Sequence, residues 1–262
     1  FATVSRYIKE RKIEQLNNVE SLITDKKYFD QSKEIIDRIK RLKRFSDNTS
    51  LYGFVQHIKE EIDFDKRLQT IQDDLKRNIT TLQKNIFKSL KERDGAKLKN
   101  YLKHMERCDP LVNYLKKSFT TEDISEMKGY EEIFEEIQEN VKEISTKVSE
   151  FDLGQTHENQ HQTNEVINNF KIDFEFVKEM GSVDETFSSV SQNSLDNISS
   201  KAEELLNEAK KILNNKSKGN KREKFIQLNK ILNNLNSFQK ATSFNVVKDK
   251  KNQIEGLIRE KM

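Results

Sequence analysis

Residues 71–86 read IQDDLKRNITTLQKNI, and the apolar side chains fall at Ile71, Leu75, Ile79, Leu82 and Ile86. Steps of 4, 4, 3 and 4 place all five on one stripe of a helix, with charged and amide side chains elsewhere. The same steps recur along the chain. They run through Ile133, Ile137, Val141, Ile144 and Val148, then through Ile198, Ala202, Leu206, Ala209 and Leu213. With one polar replacement they also run through Ile8, Lys12, Leu16, Val19 and Ile23, and a shortened copy is Ile254, Ile258 and Met262. We name these the B helices.

A second stripe, with steps of 4, 3 and 3, lies between successive B helices. Its copies are Ile35, Ile39, Leu42 and Phe45; Tyr101, Met105, Cys108 and Leu111; Phe170, Phe174, Val177 and Met180; and Leu228, Leu232, Leu235 and Phe238. We name these the A helices. Two independent stripes repeat with a spacing of about 60–70 residues, which predicts tandem B–A units. A one-sided stripe is buried only against a neighbour, so the expected fold is all-α. It is an elongated array of antiparallel helical hairpins, solenoid- or rod-like, and not a closed enzyme fold. The expected units are residues 1–48, 49–114, 115–184 and 185–242, with a partial unit at 243–262. The B stripe advances about 3.75 residues per turn, away from the 3.5 of a left-handed heptad coil, so antiparallel packing within the chain is expected over a long dimeric coiled coil.

Composition agrees with a thin helical body. Of 262 residues, 34% are hydrophobic and 35% charged, and one Pro and seven Gly leave little material for tight hairpin turns. Stretches richest in helix breakers, and hence expected linkers, are 46–50, 93–96, 152–163, 181–194 and 215–221. Thr49 and Ser50 before Leu51, and Thr242 and Ser243 before Phe244, are placed to cap helices. Asp109–Pro110 reads as the N-cap and first residue of another helix. A third helical segment is accordingly expected at 51–60 and at 110–119, either a separate short helix or the start of one long kinked B helix.

Charge argues against several classes of function. Forty-seven basic and 44 acidic residues leave a net charge of +3, too little for a nucleic-acid partner to be expected. A single Cys forms no disulfide within the chain. No stretch approaches the roughly 18 apolar residues of a membrane span, and none resembles a signal sequence. The chain opens on Phe1 and is read as part of a longer protein, with the cytoplasm the favoured compartment. Four N-x-S/T sequons, at Asn48, Asn78, Asn197 and Asn215, are about what chance supplies in an Asn-rich chain and do not establish secretion.

Candidate chemistry is local. His157–Glu158–Asn159–Gln160–His161 matches H-E-x-x-H, in which two imidazoles one helical turn apart hold zinc and the Glu activates water. Its surroundings are polar and offer no apolar face, so a surface loop is expected there. His157 and His161 are the only metal-ligand candidates. Cys108, with His104 one turn before it, occupies the A-stripe register of Leu42, Val177 and Leu235, so burial accounts for it without nucleophilic chemistry. His57 has no partner by spacing. Neither catalytic residues nor a cofactor are expected.

Two charged blocks remain as candidate interaction surfaces. One is basic, comprising Arg38, Lys40, Arg41, Lys43 and Arg44. Its counterpart in the fourth unit is nearly uncharged, at Asn229, Lys230, Asn233, Asn234 and Asn236. The other is acidic, comprising Glu131, Glu132, Glu135, Glu136, Glu139 and Glu143. Either block could fix packing between units or steer a partner. The expected function is a structural or protein-binding scaffold segment without catalysis. Alternatives are an extracellular helical adhesin and a curved membrane-binding module, with a zinc hydrolase the most remote.

Overall fold

A computed structural model of the chain describes residues 2–26, 29–48, 52–119, 124, 126–151, 160–214, 221–242 and 244–261. Among these the chain is all-helical and contains no strand. It divides into two compact units, residues 1–137 and 138–262.

The first unit contains α1 (Ala2–Thr24), α2 (Ser32–Ser46), α3 (Tyr52–Glu61), α4 (Phe64–Lys91), α5 (Gly95–Ser118) and the start of α6 (Tyr130–Ser149). Helix α1 packs on α2, α3 and α4, while α5 packs on α4 and α2. The stripe in α4 that defines the B pattern is buried throughout. In α1, Leu16, Val19 and Ile23 are buried, whereas Ile8 and Lys12 are half-buried. Lys12 fills its place in the stripe with its aliphatic stem. Its ammonium stands 4.7 Å from the centre of the Phe45 ring, which itself meets Phe64 edge-on at 5.2 Å. Burial, and secondarily Arg11, lowers the Lys12 pKa.

The second unit contains the rest of α6, then α7 (Gln160–Met180), α8 (Glu185–Asn214), α9 (Lys221–Thr242) and α10 (Asn245–Lys261). Helix α7 packs on α8 and α9, and α10 packs on α8 and α9. The α6 stripe is fully buried, as is the α7 stripe; Leu213 in α8 and Leu232 in α9 are half-buried.

Helix ends show how a glycine-poor chain turns. Three non-glycine residues, Lys26, Asp63 and Arg93, adopt positive φ of 56°, 49° and 57°. They follow α1, separate α3 from α4, and follow α4, where a glycine would be the unstrained choice. Beyond Arg93, Asp94 N–H donates to the Ser89 carbonyl at 3.0 Å, closing α4, and the Asp94 carboxylate accepts from Lys97 N–H at 3.0 Å, opening α5. A Cβ on Gly181 would lie 3.1 Å from the Ser188 backbone, a tighter approach than ordinary van der Waals contact, in the turn between α7 and α8.

The structure corrects two expectations. Helix α5 runs without interruption through Pro110, so Asp109–Pro110 does not begin a new helix at 110–119. Buried Leu111, Val112 and Leu115 hold the continuation in place, offsetting a proline whose cost in a helix interior is about 3 kcal/mol. Asp109 caps a different helix instead, since its Oδ1 accepts from Tyr130 N–H at 2.7 Å at the start of α6. The linker expected at 181–194 comprises only Gly181 to Asp184, because α8 already begins at Glu185. The segment expected at 51–60 is a separate helix, α3. Thr49, Ser50, Leu51 and Ser243 lie outside the described residues.

Candidate functional site

The basic block lies on α2, and the structure gives its five members different tasks. Arg38 bonds Glu34 one turn earlier, at 2.6 Å. Lys43 donates to the Ser118 carbonyl at the C-terminus of α5, at 2.7 Å, and stands 4.8 Å from the Phe119 ring centre. A cation there meets the negative end of the helix dipole. Lys40 lies 5.5 Å from the Tyr114 ring centre on the same helix. Two of the five cations are therefore packing groups between α2 and α5. Arg41 and Arg44 point to solvent and have no partner among the described residues.

The acidic block lies on α6. In the first unit, Glu132 Oε2 accepts from Gly129 N–H at 2.9 Å, a carboxylate in the first helical turn reaching back to the cap. That bond, followed by the nearby Lys116, lowers the Glu132 pKa. Lys116 stands 3.4 Å from Glu132, and Lys128 pairs with Glu136. Glu131 and Glu135 are exposed and unpaired among the described residues. In the second unit, Glu143 pairs with Lys147 at 2.8 Å and Glu139 is exposed. Among the described residues of the first unit, the basic block forms no ion pair with the glutamates of α6.

Cys108 is fully buried, and desolvation pushes its thiol up to about 12, so the nucleophilic thiolate is suppressed. His104 stacks on Phe29 with ring centres 4.4 Å apart, and its Nδ1 has no hydrogen-bond partner among the described residues. His57 is exposed beside Glu61 at 3.5 Å. Of the H-E-x-x-H stretch, residues 157–159 lie outside the described residues; Gln160 and His161 enter only as the backbone that opens α7. No group of three or more His, Cys, Asp or Glu is placed to hold a metal among the described residues. No helix among them is long and apolar enough to cross a membrane.

Contacts that sequence spacing did not reveal lie between like helices. Arg67 on α4 donates to both oxygens of Glu20 on α1, at 3.0 and 2.7 Å, and to Asn17 Oδ1 at 2.7 Å. Gln83 on α4 donates to the Lys128 carbonyl before α6, at 2.7 Å. Within the second unit, Gln138 on α6 donates to Asp184 at 2.6 Å, Asn197 on α8 donates to the Ser149 carbonyl at 3.4 Å, and Lys250 on α10 pairs with Glu203 on α8. Arg107 on α5 likewise pairs with Asp30 before α2 at 2.6 Å, and its carbonyl accepts from the Ser32 hydroxyl at 3.0 Å. Set against known proteins, the chain matches no family model, no curated protein and no solved structure.

Proposed function

We propose that this chain is a structural, protein-binding segment in which tandem B–A hairpins stack in register and their unshared polar faces contact a protein partner. Recurrence of the bridges between successive B helices carries the reading. Glu20 and Arg67 are 47 residues apart, Gln83 and Lys128 are 45, Gln138 and Asp184 are 46, Ser149 and Asn197 are 48, and Glu203 and Lys250 are again 47. Each joins one B helix to the next B helix or to the turn leading into it. A constant separation over unlike side chains is what a repeated stacking geometry produces; five unrelated contacts would scatter. Like stacks on like in the A helices too, α2 on α5 and α7 on α9.

Function then follows from geometry. The stacked hairpins set a spacing, and the residues that differ between copies supply specificity. Arg41 and Arg44 are the cations left over after packing, and they suit an acidic protein surface. The segment has no catalytic role in this reading, and the cytoplasm remains its favoured compartment. Chains truncated after residues 48, 119 and 262, compared by guanidinium unfolding, test the stacking. Stability and the denaturant slope should rise with every hairpin, with the shortest chain unfolded alone. Equal stability for all three lengths overturns the reading.

A further inference from the structure

Within the first unit, α2 and α5 lie side by side, parallel and in constant register. The Ser32 hydroxyl meets the Arg107 carbonyl and the Lys43 ammonium meets the Ser118 carbonyl, and both contacts join residues 75 apart. A helix repeats its face at steps of three and four, so the outer edge of α2 beside α5 runs through Lys33, Lys40 and Arg44. The facing edge of α5 runs through Arg107, Pro110, Tyr114 and Lys117. Lys40, 5.5 Å from the Tyr114 ring centre, shows where the two edges meet. Tyr114 is half-buried and the others are exposed. Along about 16 Å of helix the seam is therefore a furrow with lysine and arginine on both walls, interrupted on α2 by Asp37.

Beside the N-terminus of α2 the furrow opens into a cleft of about 500 Å³, lined by Phe29, Asp30, Gln31, Lys33, Arg107 and Pro110 among others. Arg107 is held by Asp30 at 2.6 Å while its side chain stays 45% exposed, so this cation is positioned before any partner arrives. Gln31 is the N-cap of α2, yet its side chain makes no capping bond, and the first-turn N–H groups gain no acceptor from it. Its Oε1 is buried without a hydrogen-bond partner among the described residues, a cost that a rotation of the amide toward a ligand N–H removes. A peptide supplies both missing groups, a carboxylate or carbonyl for α2 and an N–H for Gln31. A phosphate backbone supplies acceptors alone. Its even run of charge also lies against Asp30, Glu34 and Asp37, whereas an acidic peptide spaces its carboxylates by sequence.

We propose that the furrow between α2 and α5 docks an acidic segment of a partner protein, with carboxylates along Lys33, Lys40, Arg44 and Lys117 and one seated at the N-terminus of α2 beside Arg107. The inference deepens the protein-binding reading and rests on it.

Fluorescence anisotropy of a fluorescein-labelled glutamate peptide of about ten residues, long enough to span the furrow, titrated with the full chain, tests this. The expected result is saturable binding of one peptide per chain that weakens as salt is raised. Lys33→Glu with Arg44→Glu should weaken binding by about tenfold or more. Lys66→Glu with Lys91→Glu, the same change of charge at exposed positions of α4, should weaken it by less than about twofold. Far-ultraviolet circular dichroism checks that both variants remain folded. If the reversal at Lys33 and Arg44 disturbs the fold, Lys33→Gln with Arg44→Gln takes its place, with a loss of about fivefold expected. An oligothymidylate of equal charge and vesicles containing phosphatidylserine should both bind more weakly than the peptide. Absence of peptide binding, equal losses in the α2 and α4 variants, or tighter binding of the oligothymidylate or the vesicles overturns the docking. Truncated chains whose stability still rises stepwise would then leave the stacked hairpins standing, so the two failures are distinguishable.

Discussion

The seam between α2 and α5 and the seam between α7 and α9 join helices of the same register by different physics. The first is polar and cationic: Asp30 with Arg107, the Ser32 hydroxyl on the Arg107 carbonyl, Lys43 on the Ser118 carbonyl, Lys40 over Tyr114. The second is phenylalanine. Phe170 and Phe238 lie 5.7 Å apart, Phe174 and Phe244 5.1 Å, and Phe151 covers both Phe170 at 4.1 Å and Phe238 at 5.5 Å. Apolar stripes are buried on the helices of both seams. The residues flanking those stripes differ, and the basic run on α2 has no counterpart on α9.

Phe238→Ala should have the largest effect. Removing a fully buried ring from the aromatic seam is expected to cost about 4 kcal/mol in urea unfolding, with no dependence on salt. An effect near 1 kcal/mol would show that the rings touch without supporting the seam. In the cationic seam, Arg107→Ala should cost about 1 kcal/mol and Lys43→Met less, and both losses should shrink as salt is raised. Salt-insensitive losses would mean that those side chains act by their stems alone. Lys12→Met should go the other way, raising stability by up to about 1 kcal/mol, because it places an apolar group in a stripe position where a half-buried ammonium is penalised. Stability lost on that change would show that the contact with Phe45 outweighs burial.

The smallest effect concerns acid. Glu132 has a folded-state pKa below its ordinary value near 4.5, set first by the Gly129 N–H bond, so the unfolded chain binds the proton more readily. Its contribution is present above the unfolded-state pKa and is lost as pH falls through the folded one. Glu132→Gln should therefore lower stability slightly at pH 7, by about 0.5 kcal/mol after allowance for solvent screening, and make no difference at pH 2. An equal deficit at both pH values would assign the loss to packing.

Much of the fold was legible because helical periodicity is a local property. The A and B stripes placed Ile71 to Ile86 and Phe170 to Met180 in the core without knowledge of any contact. Pro110 misled for a local reason too: its ring forbids a regular helix in isolation, and only tertiary burial of Leu111 and Val112 keeps α5 running. The candidate surface was half legible. Sequence marked Lys40 and Lys43 as part of a basic face, but their engagement with the end of α5 depends on residues more than 70 positions away. The Arg67–Glu20 bridge, 47 residues apart, gave no signal that spacing on one helix could carry.

The positive φ angles at Lys26 and Arg93 have a practical consequence. A side chain held in the left-handed region costs roughly 1–2 kcal/mol, so opening either joint relieves strain. Both residues are also the basic type that trypsin cuts after. Brief digestion should therefore nick the protein beyond α1 and beyond α4, and replacing Lys26 or Arg93 with glycine should slow the cut there by removing both the strain and the basic side chain.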